Sequence, residues 1–303
     1  MNPVSQRNFI YFINPISGTA NKSRLLQKIT DETAQRKISF QIIYTTKEGD
    51  YAFLPQKIIN EKITDVIICG GDGTIKSVVS FLLHSDVNIG ILPVGSGNGL
   101  AHGSGIGGNV NKALQIIFSG KTKAIDGFFV NNHFGCMLAG LGFDATVAFE
   151  FAGRKKRGLF PYIKISLHRF FASKTFPFVI SFDDYTIQTE ALFISFANSN
   201  QFGSRIKIAP RASLSDGRLD VVVVNKKNKI ITALSILRQI AFGKIQPSKE
   251  LLVKRKNIFY FHAEKLTIKN PSLAPLHIDG EPCETSDTIE VKIIPGAIRL
   301  LTP

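Results

Sequence analysis

The chemistry of this chain is concentrated in Val66-Ile67-Ile68-Cys69-Gly70-Gly71-Asp72-Gly73-Thr74. The four apolar residues at its start, three of them β-branched, predict a strand buried on both faces. The glycines let the backbone turn tightly and leave its N–H groups uncovered. From Thr74 onward Ile75, Val78, Val79, Leu82 and Leu83 recur at helical spacing. A strand that ends in a glycine turn and feeds a helix N-terminus is an anion site, with free donors and the positive end of the helix dipole. No Gly-Lys-Ser/Thr closes the turn, so it is not a Walker A loop, and it is not G-x-G-x-x-G. Asp72 is the unusual member. A carboxylate beside phosphates is repulsive unless a Mg²⁺, a sugar hydroxyl or an attacking hydroxyl lies between them, which points to nucleotide phosphoryl transfer rather than passive anion binding.

Other strand-end loops stand around this one. Phe9 to Ile13 reads as a first buried strand, followed by the turn formers Asn14-Pro15-Ile16-Ser17-Gly18 and a helix from Ala20 or Lys22 to about Lys37. Phe40 to Tyr44 completes a βαβ unit, and Thr45 to Asp50 is the next loop, with Asp50 as a candidate N-cap for a helix to about Asn60. Val87 to Leu92 is a further strand. It leads into a second glycine-rich loop, Pro93-Val94-Gly95-Ser96-Gly97-Asn98-Gly99-Leu100-Ala101. Ser96 can donate to a phosphate, and Asn98 can bond a nucleotide or the backbone. Ligands of open parallel sheets gather at such carboxyl ends. Asn109 to Ser119 reads as a helix capped by Asn109 and stopped by Gly120.

Near Ile125 alternating strands and helices give way to hairpins: Phe128 to Val130, a turn at Asn131-Asn132, then Phe134 to Ala139. The domain boundary is expected there, with residues 1–125 an α/β domain and residues 126–293 a mostly β domain. Gly142-Phe143-Asp144-Ala145 opens a helix toward Gly153, and Asp144 suits its first turn. Arg154-Lys155-Lys156-Arg157 follows, with Phe160, Tyr162, Phe170 and Phe171 close behind. Three readings stay open for this run: a solvated face, an interfacial helix, or cations that reach phosphates. Strands at Phe178 to Phe182 and Thr186 to Ala197 and a long polar loop from Asn198 to Pro210 come next. Asp216-Gly217 is a turn before Val221 to Val224. An amphipathic helix over Ile230 to Phe242, a basic run Lys254 to Lys256, the turn Asp279-Gly280-Glu281-Pro282 and apolar segments at Ile289 to Ile294 and Pro295 to Leu301 complete the chain.

Composition narrows the classes. The 303 residues suit two domains or one large one. Hydrophobic content of 44% and charged content of 20% are those of a folded globular protein. The net charge of +14 suits a nucleic-acid binder or a visitor to an anionic membrane. Cys69, Cys136 and Cys283 lie far apart and read as reduced thiols of a cytosolic protein. No signal-peptide apolar region opens the chain, and no apolar run approaches the ~20 residues of a membrane-spanning helix, so membrane contact is expected to be peripheral. The six histidines make no metal-ligand cluster and read as structural or exposed.

Gly70 to Thr74 resembles the signature of the diacylglycerol kinase catalytic domain superfamily, which includes bacterial lipid kinases, sphingosine kinases and ceramide kinases. The same five residues occur in NAD kinases, with a related motif in phosphofructokinases. Asn14 to Gly18, Pro93 to Asn98, Asp216-Gly217 and Asp279 to Glu281 fall in the order of the family's other motifs, and NAD kinases lack the Pro93 to Asn98 loop. The resemblance implies a doubly wound parallel-sheet nucleotide domain and a β-sandwich lipid domain, with residues 294–303 returning to the first. It implies transfer of the γ-phosphate of ATP to a lipid hydroxyl, diacylglycerol or a sphingoid base or ceramide. Asn14, Ser17, Thr45, Gly70, Gly71, Gly73, Thr74, Ser96 and Asn98 would hold ATP. Asp72 would orient Mg²⁺–ATP or the acceptor, Asp144 would face the acceptor hydroxyl, and Glu281 would be the general base, within hydrogen-bond reach of that hydroxyl. Mg²⁺ would be bound by the Asp216 side chain and the carbonyls of Ser213 and Arg218, a set of oxygen ligands that suits it.

One departure from the family pattern matters. After Gly-Gly-Asp-Gly-Thr the family continues x-Asn-Glu, and this chain has Ile75-Lys76-Ser77. Lys76 either reaches a phosphate or points away. Gly99, where diacylglycerol kinases carry Asp, resembles the sphingosine and ceramide kinase pattern. The expectation is a cytoplasmic enzyme that visits an anionic membrane surface for a lipid substrate and binds no nucleic acid, with a homodimer left open. The rival classes are a soluble-substrate kinase of the NAD kinase or phosphofructokinase type and a non-enzymatic basic binding protein.

Overall fold

The computed structural model describes residues 7–18, 22–152, 165–166, 168–170, 172–200, 209, 211–225 and 258–303. Arg154 to Arg157, the aromatic residues Phe160 and Tyr162, loop residues 201–208, the helix expected over Ile230 to Phe242 and the run Lys254 to Lys256 lie outside the described residues. Packing divides the chain into two compact units, Met1–Ile125 with Gly296–Pro303, and Asp126–Pro295.

The first unit runs β1 (Asn8–Ile13), α1 (Lys22–Gln35), β2 (Ser39–Tyr44), α2 (Leu54–Glu61), β3 (Asp65–Gly70), α3 (Asp72–Val79), β4 (Asn88–Pro93), α4 (Gly99–Gly103) and α5 (Val110–Ser119). β1 lies between β2 and β3, β4 follows β3, and every pairing is parallel. Arg299 and Leu300 extend the sheet, parallel to Asn88 and Ile89 of β4. The chain therefore winds outward from β1 in one direction to β2 and in the other to β3 and β4. The point of reversal, between the carboxyl ends of β1 and β3, is where such sheets bind ligands. β1 and β3 are apolar without alternation because both of their faces are covered: Phe9, Ile10, Tyr11, Phe12, Val66, Ile67 and Ile68 are fully buried. The Tyr11 hydroxyl meets Thr33 Oγ1 of α1 at 2.8 Å, and burial raises its pKa above the ordinary phenol value. At the amino ends of the strands, Arg7 Nε and Nη2 donate to Asp65 Oδ2 and Oδ1 at 3.0 and 2.5 Å, which pairs a buried carboxylate.

Helix boundaries follow their caps. Asn109 Oδ1 accepts from the N–H groups of Asn111 and Lys112 at 2.9 and 3.1 Å, and Gly120 ends α5 in the left-handed region. Asp50 differs from its expected role. Its carboxylate accepts the Ala52 N–H at 3.0 Å in a local turn, and α2 begins later, behind Phe53, with Pro55 in its first turn. α3 also stops at Val79, short of Leu82 and Leu83. The Phe81 and Leu82 N–H groups reach back only three residues, to Val78 and Val79, and the tightened turn ends the helix.

In the second unit β5 (Thr122–Val130), whose first residues belong to the first unit, leads to β6 (His133–Gly135), β7 (Leu138–Gly142), α6 (Phe143–Ala152), β8 (Phe176–Phe182), β9 (Tyr185–Ala197) and β10 (Leu219–Asn225). β11 (Ile258–Ala263), β12 (Lys265–Lys269), β13 (Leu276–Ile278), β14 (Glu281–Cys283) and β15 (Thr288–Leu301) follow, and the last residues of β15 belong to the first unit. Neighbours here pair antiparallel. β9 is long enough to pair with β8 through its first half and with both β7 and β10 through its second. The inward faces enclose a β-sandwich core that includes Phe128, Phe178, Phe196, Val221, Phe261, Ile268 and Val291. The single strand expected over Phe134 to Ala139 is two strands, broken at Cys136 and Met137, because their N–H groups both turn to the carboxylate of Asp279 at 2.9 Å.

Candidate functional site

Three loops at the carboxyl ends of β1, β3 and β4 are tied to one another. Asn14 Nδ2 donates to Thr74 Oγ1 at 2.9 Å across the reversal point, while Asn14 Oδ1 accepts the Ile16 N–H at 3.0 Å. The Asp72 carboxylate takes the Gly99 and Leu100 N–H groups at 2.9 and 3.1 Å, so the first turn of α3 holds the first turn of α4. Between them the two glycine loops touch backbone to backbone: a Cβ on Gly95 would lie 2.4 Å from Gly71 Cα. Asn98, at φ +51, donates from Nδ2 to the Gly95 carbonyl at 2.8 Å, and its Oδ1 is buried with no hydrogen-bond partner. Gly71 enters α3 in extended conformation, and no side chain caps that helix. The donors at its N-terminus and the dipole behind them suit phosphate oxygens. Ser17 lies in the first loop, its hydroxyl on the Asn14 carbonyl at 3.1 Å. Thr45 follows β2 with its N–H on the Ile13 carbonyl at 3.0 Å, Ser96 is exposed, and Lys76 is half-buried on α3.

In the second unit β13 and β14 form a hairpin whose closing pair is Ile278 and Glu281. Its two turn residues, Asp279 and Gly280, both have positive φ, at 54° and 81°, the signature of a tight type I′ connection. Asp279 holds the turn from inside: its carboxylate accepts the N–H groups of Cys136, Met137 and Leu138 at 2.9, 2.9 and 3.0 Å. Glu281, the next residue but one, is exposed. Behind the hairpin, Asp144 on the first turn of α6 lies with Oδ1 2.8 Å from His277 Nε2, and both residues are buried. The sequence alone reads His277, like the other histidines, as structural or exposed, with no part in the site. A histidine 133 residues from its carboxylate leaves no local pattern to read.

Residues 8–130 match the diacylglycerol kinase catalytic domain, and residues 138–302 match the YegS C-terminal NAD kinase beta sandwich-like domain. The chain belongs to the diacylglycerol kinase catalytic domain superfamily. Among its relatives, a "Probable lipid kinase YegS-like" of Enterobacter sp. (strain 638) is 26% identical over 296 residues, covering 95% of this chain and 94% of the relative. A diacylglycerol kinase of Staphylococcus carnosus (strain TM300) is 24% identical over 272 residues, covering 88% of this chain and 86% of the relative. Two solved structures from Bacillus anthracis str. Sterne share the fold, with TM-scores of 0.80 and 0.73 at 22% and 19% identity, each covering 98% of this chain and 97% of the other; the second is described as a diacylglycerol kinase.

Within this kinase family fold, the loop Ser213 to Arg218 is the candidate cation site. Asp126 braces it: Asp126 Oδ2 accepts the Gly217 N–H at 2.8 Å, and the Asp126 N–H donates to the Leu214 carbonyl at 2.6 Å. Asp216 is exposed, and its Oδ1 accepts the Arg218 N–H at 3.3 Å. The Asp216 carboxylate with backbone carbonyls of this loop would make an all-oxygen donor set of low charge, of the kind that suits a Mg²⁺ keeping several waters and not a soft metal. Among the described residues no group of three or more His, Cys, Asp or Glu could hold a metal by side chains alone. Two residues on, Asp220 is fully buried. Desolvation pushes its carboxyl pKa upward, and the Tyr260 hydroxyl donates to it. Ser77, at a departure from the family pattern, donates to the Gly49 carbonyl at 3.4 Å in the loop that follows β2. No helix among the described residues is long and apolar enough to cross a membrane.

Proposed function

We propose that this chain transfers the γ-phosphate of ATP to the hydroxyl of a lipid presented at an anionic membrane surface. The observation that carries the reading is the tying of the β1, β3 and β4 loops by Asn14–Thr74 and Asp72–Gly99/Leu100 around a helix N-terminus that no side chain caps. Asn14, Ser17, Thr45, Ser96 and Asn98, with the backbone of Gly70, Gly71, Gly73 and Thr74, hold the nucleotide. Lys76 adds a cation beside the phosphates. Asp72 keeps the loops in register and orients the Mg²⁺–ATP or the acceptor. Asp144 meets the acceptor hydroxyl, and Glu281 takes its proton as the hydroxyl oxygen bonds to the γ-phosphorus and ADP leaves. Asp216 and the carbonyls of Ser213 and Arg218 would hold a Mg²⁺, which would supply neutralisation of phosphate charge. The domain of residues 126–293 presents the lipid, and residues 1–125 with 294–303 present the nucleotide. The net charge of +14 supports attraction to an anionic surface.

The relatives' names favour diacylglycerol, and Gly99 favours a sphingoid base or ceramide. The test is transfer of γ-labelled phosphate from Mg²⁺–ATP in mixed micelles that contain diacylglycerol, sphinganine, ceramide or monoacylglycerol, one at a time, with NAD as a soluble control. Label in one organic-extractable product names the acceptor. Label in NAD alone moves the chain to the soluble-substrate class, and no label anywhere defeats the proposal.

A further inference from the structure

The pairing of His277 with Asp144 is a costly arrangement, and the transfer chemistry above assigns no part to the imidazole. Asp144 is 7% exposed and His277 is 1% exposed, and a buried carboxylate is tolerated only where its partners are well placed. The two ring nitrogens have separate partners. Nδ1 accepts the Gly280 N–H at 3.2 Å, so it is the unprotonated nitrogen. Nε2 therefore carries the proton and donates to Asp144 Oδ1 at 2.8 Å. The strand pairing makes room for this. His277 lies opposite Gly140 on β7, and a Cβ at Gly140 would sit 2.3 Å from Asp144 Oδ2. The neutral ring thus links the first turn of α6 to the backbone of the type I′ hairpin turn that leads directly into Glu281. Asp279 anchors one side of that turn through Cys136 to Leu138, and His277 anchors the other through Gly280. Glu281 follows directly.

We propose that His277 is a positioning residue for Glu281: its ring, oriented by Asp144, holds the Gly280 N–H and thereby fixes where the Glu281 carboxylate stands. The inference rests on Glu281 being the general base. A displacement of about 1 Å at such a group costs on the order of 100-fold in rate.

The test compares two variants of the full chain, with γ-labelled ATP and diacylglycerol, sphinganine or ceramide in mixed micelles. His277→Leu removes both hydrogen bonds. His277→Gln keeps a carbonyl for the Gly280 N–H and an amide for Asp144. The expected result is a fall of about 100-fold in kcat for His277→Leu with the KM for ATP within about twofold, and recovery to within about tenfold of wild type for His277→Gln. An unchanged kcat in His277→Leu, or equal losses in both variants, overturns the proposal. In a Glu281→Ala background His277→Leu is expected to cost nothing further. An undiminished additional loss there overturns the positioning role alone, whereas wild-type turnover of Glu281→Ala overturns the base role on which it rests. If His277→Leu does not fold, ¹⁵N-histidine NMR of the wild-type protein decides. A ring protonated at Nε2 with Nδ1 accepting from Gly280 supports the proposal, and a protonated Nδ1 overturns it.

Discussion

The strand-end loops of the first unit and the Asp279–Glu281 hairpin of the second are both tight turns to which the proposed transfer assigns chemistry, and they differ in how they are held. The loops are tied by the half-exposed side chains of Asn14, Thr74 and Asp72, and they also meet backbone against backbone. Gly71 and Gly95 touch where Gly95 has no room for a side chain, and the donors offered to a ligand are N–H groups. The hairpin is held by buried side chains. Asp279 gathers three N–H groups from more than 140 residues away in sequence, and His277 with Asp144 closes the other side. A close approach of backbone to backbone fails on added volume. A site built of buried carboxylates tolerates little change of charge even when volume is conserved.

Four substitutions press on that contrast. Glu281→Ala should lower kcat by about 10²–10⁴-fold, the usual worth of a general base, and leave the melting temperature unchanged because the side chain is exposed. Turnover near the wild-type level removes Glu281 from the mechanism. Asp72→Asn tests the one charge among the glycines. Turnover should fall by about 100-fold, while the weakened cap on α4 costs about 1 kcal/mol in denaturant unfolding. Loss of stability with normal turnover would reduce Asp72 to a brace. Asp279→Asn keeps the shape but turns an amide donor toward backbone donors, so about 2–3 kcal/mol of stability should go, read as a lower denaturant midpoint. Gly95→Ala is the converse, a neutral methyl group against Gly71 Cα. It should cost about 1–3 kcal/mol and raise the KM for ATP more than it lowers kcat. If Gly95→Ala binds ATP normally and Asp279→Asn is fully stable, the contrast between the two turns fails.

How much could be read in advance follows the same line. β3 was legible because a strand covered on both faces has only apolar residues to offer, and α5 because Asn109 and Gly120 mark its ends by local hydrogen bonds. The loop residues Asn14, Asp72, Thr74 and Asn98 were legible as polar groups among turn formers, and the structure brings them together at the strand ends. What escaped depends on competition between local hydrogen bonds or on partners distant in the chain. Asp50 has the right type for a cap, yet an Asx turn to Ala52 competes for its carboxylate. The break at Cys136 and Met137 comes from Asp279, 143 and 142 residues later. The turn Asp279-Gly280 could be read locally, but not the buried imidazole behind it, because nothing in Leu276-His277-Ile278 distinguishes a satisfied core histidine from one that bonds Asp144.

The strand contributed by Arg299 and Leu300 also bears on how the protein is made. Arg299 pairs beside Asn88 and donates to the Asp86 carbonyl, 213 positions earlier in the chain. As synthesis proceeds, β4 is complete long before that neighbour leaves the ribosome, and until then one flank of the parallel sheet stands uncovered. Contacts of such long sequence separation form late and slow folding. The first unit therefore cannot finish as an independent early product. A chain cut before Gly296 would release a nucleotide-binding sheet with an open edge, prone to pair with another copy.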